Sequence, residues 1–331
     1  MSNWNPSVCP RSDCPSRRGS PFTFRRRGVF RRHCDGRSVR RFLCLTCRSG
    51  FSEQTFRLDY RLKRPELLPR FFFDRVSKCT HRQSARNQAC SRTTEERHFR
   101  RLGEHCRAFH DDKLHALSLC KATTFLLDEL ETYEEHRTQK PVTVPILIER
   151  ESGFVVDIQV GALAARKRLE SHPARSSESR RVVRAVFERL CALPKDTRSA
   201  LCVLTDEKPS YARILKELFP RNEARTLEHQ TTSSTRRRDH TNPLWPINHT
   251  LARVRDNVSR LVRETWAAAK KRRWLASHLA IWIAYRNYVR GKTNKHHRVT
   301  PAMSLGFQAR PCSVRDLLAW KRPLSRATAQ S

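Results

Sequence analysis

The sequence predicts an α/β core preceded by a small cysteine-rich module and a basic helical segment. Three observations carry this expectation. Strand-length apolar stretches alternate with helix-period segments between residues 113 and 290. Four cysteines fall in two pairs near the N-terminus. The formal net charge is +35 over 331 residues, too large to serve solubility alone. A field of that sign and size attracts polyanions, nucleic acid first.

The organisation expected is 1–58 cysteine module, 59–112 helical module, 113–290 core and 291–331 basic tail. Two Ser/Thr/Arg-rich stretches, 171–181 and 229–243, read as exposed linkers. No stretch of 18 apolar residues is present, and the N-terminus "MSNWNPSVCP" lacks a charged-then-apolar signal pattern. The expectation is a soluble, cytoplasmic, nucleoid-associated protein that engages no membrane. Twelve cysteines in a chain of this length point to reduced thiols and a metal site rather than to disulfide staples.

The first module reads "CPRSDCP" (9–15) and "RFLCLTCRSGFS" (41–52). Cys9 with Cys14 and Cys44 with Cys47 can each point two thiolates at one ion, and four thiolates complete a closed tetrahedral Zn²⁺ site. Cys34 lies between the pairs and is read as a bystander. In the second module Thr80 or Ser84 is expected to start a short helix. A second helix runs through "TTEERHFRRLGEHC", capped by Thr93 or Thr94. Two short helices around a tight turn, the second carrying Arg97, Arg100 and Arg101, suggest a helix-turn-helix for a DNA major groove.

The core begins with "TTFLLDELETYEEH", whose apolar run Phe125–Leu127 ends in Asp128. "VTVPILIER" and "GFVVDIQVG" read as a hairpin, "SRRVVRAVFERLCAL" as an amphipathic helix and "ALCVLTD" as a strand ending in Asp206. "SYARILKELF" follows as a helix and "ARTLEHQTT" as a short strand. Long helices are expected over 247–266 and 272–289, with Trp266, Trp274 and Trp282 in the core. If the two acid-bearing strands are neighbours, both carboxylates emerge at one sheet edge, where divalent cations bind. Glu129 then points away from that site. Arg253, Arg255, Arg260 and Arg263 form a partly helical basic stripe suited to phosphates.

"LLDELETY" resembles the first catalytic block, D-E-x-x-x-Y/F, of DDE transposases of the InsA/InsB insertion-sequence type. "TDEKPSY" resembles their second block at Thr205, Asp206, Pro209 and Tyr211. "INHTLARVRDNVSRLVRETW" resembles their third at Arg255, Arg260, Leu261 and Arg263. The cysteine and helical modules fit the same family. The resemblance spans about residues 5–310. It implies an RNase H-like core behind a zinc ribbon and a helix-turn-helix. It also implies Mg²⁺ or Mn²⁺ dependence, and cleavage and joining of double-stranded DNA at element ends and target by a homo-oligomer. One position departs from the pattern: where the family has its third carboxylate, this chain has Asn248. Asp256 and Glu264, two and just over four turns further along, stay open as alternatives. The other functional reading is a catalytically decayed, transposase-derived DNA-binding protein.

Overall fold

The structure, a computed structural model, describes residues 4–19, 21–115, 123–135, 137–165, 177–193, 201–220, 227–262, 266–293, 295 and 298–322. The chain forms two compact units, residues 1–69 with 314–331, and residues 70–313.

In the first unit β1 (Phe24–Arg31) pairs antiparallel with β2 (Ser38–Cys44), which pairs with β3 (Gly50–Ser52). The β1–β2 register shifts between Arg26 and Val29, where Gly28 takes φ +76°. That left-handed conformation costs glycine little and is what a bulge of this kind requires. β2 buries Val39, Phe42 and Cys44, while β1 lies exposed along nearly its whole length. Phe42 stacks on Phe51 and meets Phe24 edge-on, each with ring centroids 5.5 Å apart. The described end of segment 291–331 is not a free tail. Helix Val314–Ala319 buries Leu317 and Leu318, Arg57 and Lys321 form a β-bridge, and Arg322 N–H donates to Phe56 O at 3.0 Å. Its apolar spacing gives it a core to join, which a solvated basic arm would lack.

The second unit contains α1 (Leu68–Val76) from Arg70 on, α2 (His81–Asn87) and α3 (Arg92–His115). Residues 59–112 are therefore divided between the units rather than forming a module of their own. Thr80 caps α2 as expected, accepting from Gln83 N–H. α3 starts earlier than expected because Ser91, not Thr93 or Thr94, caps it, with Thr94 N–H to Ser91 Oγ at 3.1 Å. It runs on to His115, since Phe99, Leu102, Cys106 and Phe109 keep one buried face.

The sheet of the second unit has β4 (Thr124–Tyr133), β5 (Pro141–Glu149), β6 (Val155–Ile158), β8 (Leu201–Asp206) and β9 (Leu227–Thr232), with the two-residue β7 (Gly161–Ala162) on β5. The order is β6-β5-β4-β8-β9. β5 runs antiparallel to β4 and β6, whereas β4, β8 and β9 are parallel. This is a mixed α/β sheet with the arrangement of an RNase H-like core. α4 (Ser179–Cys191) and α5 (Pro209–Leu218) pack together, and α4 packs against β5, β6 and β7. α6 (Trp245–Asn257) and α7 (Arg272–Ala284) share a core with β4, β5 and β8, built from Leu126, Leu130, Ile146, Leu204, Ile247, Val254 and Trp282. α3 lies along α7, where Gly103 passes so close that a Cβ would sit 2.7 Å from that of Ser277.

α7 ends in a π-helical turn, Tyr285–Val289. Asn287 there exchanges two hydrogen bonds with the Val155 backbone, at 2.9 and 2.8 Å, closing the edge of β6. The long helix expected over 247–266 stops at Asn257, because Lys78 N–H takes its carbonyl at 3.0 Å and Trp282 Nε1 its side chain at 3.1 Å. Val258 then turns extended, and a short 3₁₀ turn buries Leu261. Of the three tryptophans, Trp282 is buried and Trp266 is exposed. Stretch 229–243 is not a linker, since its first residues belong to β9 and the rest is tied by side chains into a loop.

Candidate functional site

The parallel register of β4 and β8 pairs Leu126 with Leu204, so Asp128 and Asp206 stand two residues further on, side by side and on one face. Asp128 does not end its strand: β4 continues to Tyr133 along β5, with Asp128 opposite Ile146. What ends near Asp128 is the parallel pairing to β8. The acids therefore stand beyond the carboxyl ends of the β4–β8 paired segments, on either side of the point where the strand order reverses.

Leu126 and Leu204 belong to the core that α6 covers, so the acids face α6. Asn248 is the fourth residue of α6, half-buried, between Ile247 and Leu251 of that core. It does not cap the helix: Leu244 is the capping position, and Asn242 Oδ1 accepts Leu244 N–H at 2.8 Å. Asp256 is exposed and paired with Lys78 at 2.7 Å, and Glu264 lies outside the described residues. Among the described residues no histidine, cysteine or further acid joins Asp128 and Asp206 as a third ligand.

In a chain this basic, neither acid has a cationic side chain in an ion pair among the described residues. Asp128 Oδ1 accepts the Glu129 N–H at 2.7 Å and Asp206 Oδ1 the Lys208 N–H at 3.1 Å. Burial, with the Asp206 charge adding to it, pushes Asp128 up to about 6. Such a pair suits a hard divalent cation, and both carboxylates and the Asn248 amide are oxygen donors.

The raised Asp128 pKa has a consequence for stability. The group's folded pKa lies above its unfolded value of about 3.9, so it favours folding below that value and loses the advantage as pH rises through 6. Without divalent cations, wild type should lose up to about 2 kcal/mol relative to Asp128→Asn between about pH 4 and pH 7. Urea unfolding of both proteins at the two pH values measures it, and parallel curves would contradict it.

Glu129 points to the opposite face, as the alternation requires, but it is held rather than solvated. Its carboxylate accepts from Tyr211 Oη at 2.6 Å, Thr143 Oγ1 at 2.5 Å, Ser179 Oγ at 3.0 Å and the Lys208 ammonium. Burial raises its pKa, but the donors outweigh burial and hold the carboxyl below its usual range. Glu129 thus ties β4 to α4 and to the "TDEKPSY" turn that carries Asp206. The sequence offered one signal for this, an acid next to Asp128 with the opposite facing.

Arg97 and Arg100 are exposed on α3, and Arg101 is half-buried. Arg253 donates to Lys292 O at 2.7 Å, and Arg255 is half-buried on α6. Arg260 turns inward, donating to His81 Nε2 and lying over the Phe99 ring, 5.6 Å from its centroid. Its neighbours include the fully buried Arg75–Glu95 pair. A guanidinium held this way is not available to a phosphate, so Arg260 leaves the expected stripe. Arg263 lies outside the described residues.

The four cysteine sulfurs of the first unit all lie within 4.8 Å of one another. Cys9 and Cys47 are 3.7 Å apart, and Cys14 and Cys44 are 3.8 Å apart. A tetrahedral site with metal–sulfur bonds of about 2.3 Å has edges of about 3.8 Å. Burial raises the Cys9 thiol. For Cys47 burial acts in the same direction, but hydrogen bonds from Ser49 and from Cys14 and Cys44 outweigh it and bring the thiol down to about 6. Cys34 is exposed and outside the cluster.

No family model and no curated protein matches this sequence. Weak likeness to solved structures of the Mos1 mariner transposase is found. Its catalytic domain is 13% identical over 58% of this chain and 92% of that one, with a TM-score of 0.25. The paired end complex with Mn is 10% identical over 62% and 72%, with a TM-score of 0.26. The strand transfer complex is 12% identical over the same shares, with a TM-score of 0.24. Likeness at this level carries no argument about function.

Proposed function

We propose that the chain is a DNA transposase that binds element ends and catalyses divalent-metal-dependent strand cleavage and transfer. The observation that carries this reading is the Asp128–Asp206 pair, two adjacent carboxylates that no cation ion-pairs among the described residues, in a chain of net charge +35. Asp128, Asp206 and Asn248 would hold Mg²⁺ or Mn²⁺, which supplies activation of an attacking hydroxyl and stabilisation of a leaving oxygen. Lys208 and Tyr211, through Glu129, set the position of the strand and turn that present the two acids. The four cysteines would hold one structural Zn²⁺. Arg97, Arg100, Arg101, Arg253 and Arg255, with the exposed arginines of β1, offer cations for phosphates. Several copies acting together on the DNA fit a reaction that joins two ends to a target. No helix among the described residues is long and apolar enough to cross a membrane.

The test is cleavage of duplex DNA carrying the ends of the surrounding element, with Mg²⁺ or Mn²⁺. Activity absent with either metal would favour the reading as a DNA-binding relative without catalysis. Binding should be steeply salt-dependent. Neutralising six to ten phosphates lowers affinity by roughly 10³–10⁵ between about 50 and 200 mM salt. Fluorescence anisotropy across a salt series measures the slope, and a flat response would direct the charge to another partner.

A further inference from the structure

The turn that follows the π-helical end of α7 gathers four cations, Arg253, Arg286, Arg290 and Lys292. Its backbone is fixed: Arg290 N–H donates to Tyr285 O at 2.8 Å and Lys292 N–H to Val299 O at 2.9 Å. Arg253 reaches the turn from α6 and donates to Lys292 O at 2.7 Å. Arg286 donates to the preceding carbonyl, Gly291 O, at 3.5 Å. Two guanidinium groups therefore stand side by side on consecutive carbonyls. Arg286 also lies against the β5–β6 turn, where a Cβ on Gly153 would meet its Nη2 at 3.2 Å. Lys292 Nζ donates to Glu151 O of that same turn at 2.7 Å.

Among the described residues none of the four forms an ion pair, and their side-chain hydrogen bonds all end on backbone carbonyls. The acids of the neighbouring turn are already used. Glu149 accepts from Glu151 N–H, Ser152 N–H and Ser152 Oγ, and Glu151 pairs with Arg150 at 3.6 Å. Arg286 is the anomaly. It is 7% exposed, its Nε is buried without a hydrogen-bond partner, and its one hydrogen bond is long. A cation kept only to answer the C-terminal carbonyls of α7 would have its donors on them. A buried charge without a counter-charge is costly, and burial together with the Arg253 and Arg290 charges brings its pKa down to about 10. Exposed Arg290 and half-buried Arg253 and Lys292 open the cluster to solvent.

We propose that Arg253, Arg286, Arg290 and Lys292 form a phosphate site that holds one backbone phosphate of bound duplex DNA. A phosphodiester brings the negative charge that the cluster lacks, and its two non-bridging oxygens match the forked donors of arginine. The net charge of +35 favours a polymer of phosphates over a small phosphate compound. Arg253 stands about 7.5 Å along α6 from Asn248, so the grip lies beside the acid pair without being part of it. The inference takes duplex DNA from the proposed function and needs no cleavage.

The experiment compares wild type with Arg286→Met, Arg286→Lys and Arg290→Ala. Duplex affinity is measured without divalent metal across a salt series. Melting temperature is measured in chloride and in inorganic phosphate at equal ionic strength. Arg286→Met should melt no lower than wild type in chloride, since an unanswered buried charge is gone. It should bind duplex about tenfold less tightly, with a salt slope smaller by about one. Arg290→Ala, at an exposed position, should show the same loss and the same change of slope. Arg286→Lys should recover part of the affinity. Inorganic phosphate should raise the melting temperature of wild type more than that of Arg286→Met. Duplex affinity and slope unchanged in Arg286→Met and Arg290→Ala would overturn the site, and a lowered melting temperature of Arg286→Met would then make the guanidinium a structural clamp. Protection by inorganic phosphate with an unchanged duplex slope would assign the cluster to a small phosphate compound and overturn DNA as its ligand. Cleavage plays no part in these readouts, so a wild type that binds duplex and cuts none would fail the transposase reading alone.

Discussion

Asp128→Asn and Asp206→Asn should each lower metal-dependent strand cleavage by at least about 10³-fold and leave duplex affinity within about tenfold of wild type. Each substitution is nearly isosteric and removes one negative charge from a site that must hold a cation. The fold does not depend on that charge. Among the described residues Asp128 makes only the hydrogen bond from its neighbour's backbone, and its burial beside Asp206 makes the ionised form costly. Asp128→Asn should therefore be as stable as wild type or more so near neutral pH, which separates lost chemistry from lost folding. Asn248 belongs to the same test. Since it caps nothing, Asn248→Ala should cost cleavage rather than stability, and Asn248→Asp should retain cleavage at lower Mg²⁺. Single-turnover cleavage with Mg²⁺ titration measures all four variants. Wild-type rates from Asp128→Asn or Asp206→Asn would remove that residue from the site.

The acid pair was legible because it breaks a local rule. Phe125–Leu127 and Val203–Thr205 are β-prone and apolar, and a carboxylate directly after such a run needs a reason to be there. Strand alternation then placed Glu129 on the other face, as the structure has it. Its donors could not be read, because Thr143, Ser179, Lys208 and Tyr211 come from three separate elements. The end of α6 was hidden for a related reason. Val258 and Leu261 prolong the helical apolar period past Asn257, while the groups that stop the helix, Lys78 and Trp282, are remote in sequence.

Two composition-based expectations failed in the same way. "STRRRDHTN" looks like a solvated linker, yet Asp239, Thr241 and Asn242 spend their side chains on the loop's own backbone. "RLVR" looks like a phosphate-tracking stripe, yet Arg260 sits among Arg75, His81, Glu95 and Phe99. A basic residue in a basic chain carries almost no positional information. Only its partners decide whether the charge is spent inside or offered outside, and those partners are tertiary.

Removing metal from the four-cysteine cluster should unfold the first unit while the sheet of the second persists. Structural zinc in small modules contributes roughly 10–16 kcal/mol of apparent binding energy at neutral pH, more than a small domain's net stability. The aromatic stack of Phe24, Phe42, Phe51 and Phe56 lies next to the buried thiols, and the rest of the unit's core is a small set of aliphatic side chains such as Val39, Leu58, Leu317 and Leu318. Asp59, shared by Arg32, Arg37 and Arg57, adds an ionic tie, but ion pairs do not replace a missing core. Without the metal, three buried sulfurs and one half-buried one lose the only common partner their spacing suits. Protein freed of zinc by chelation, and separately Cys44→Ser, should lose amide-exchange protection across β1, β2 and β3, with β4, β5 and β8 still protected. Elemental analysis of the untreated protein should give about one zinc per chain. Cys34→Ser, which alters an exposed thiol outside the cluster, should change none of this. Full protection of β2 in protein shown to be free of metal would mean that the thiols pack as ordinary core residues, and the zinc assignment would fall.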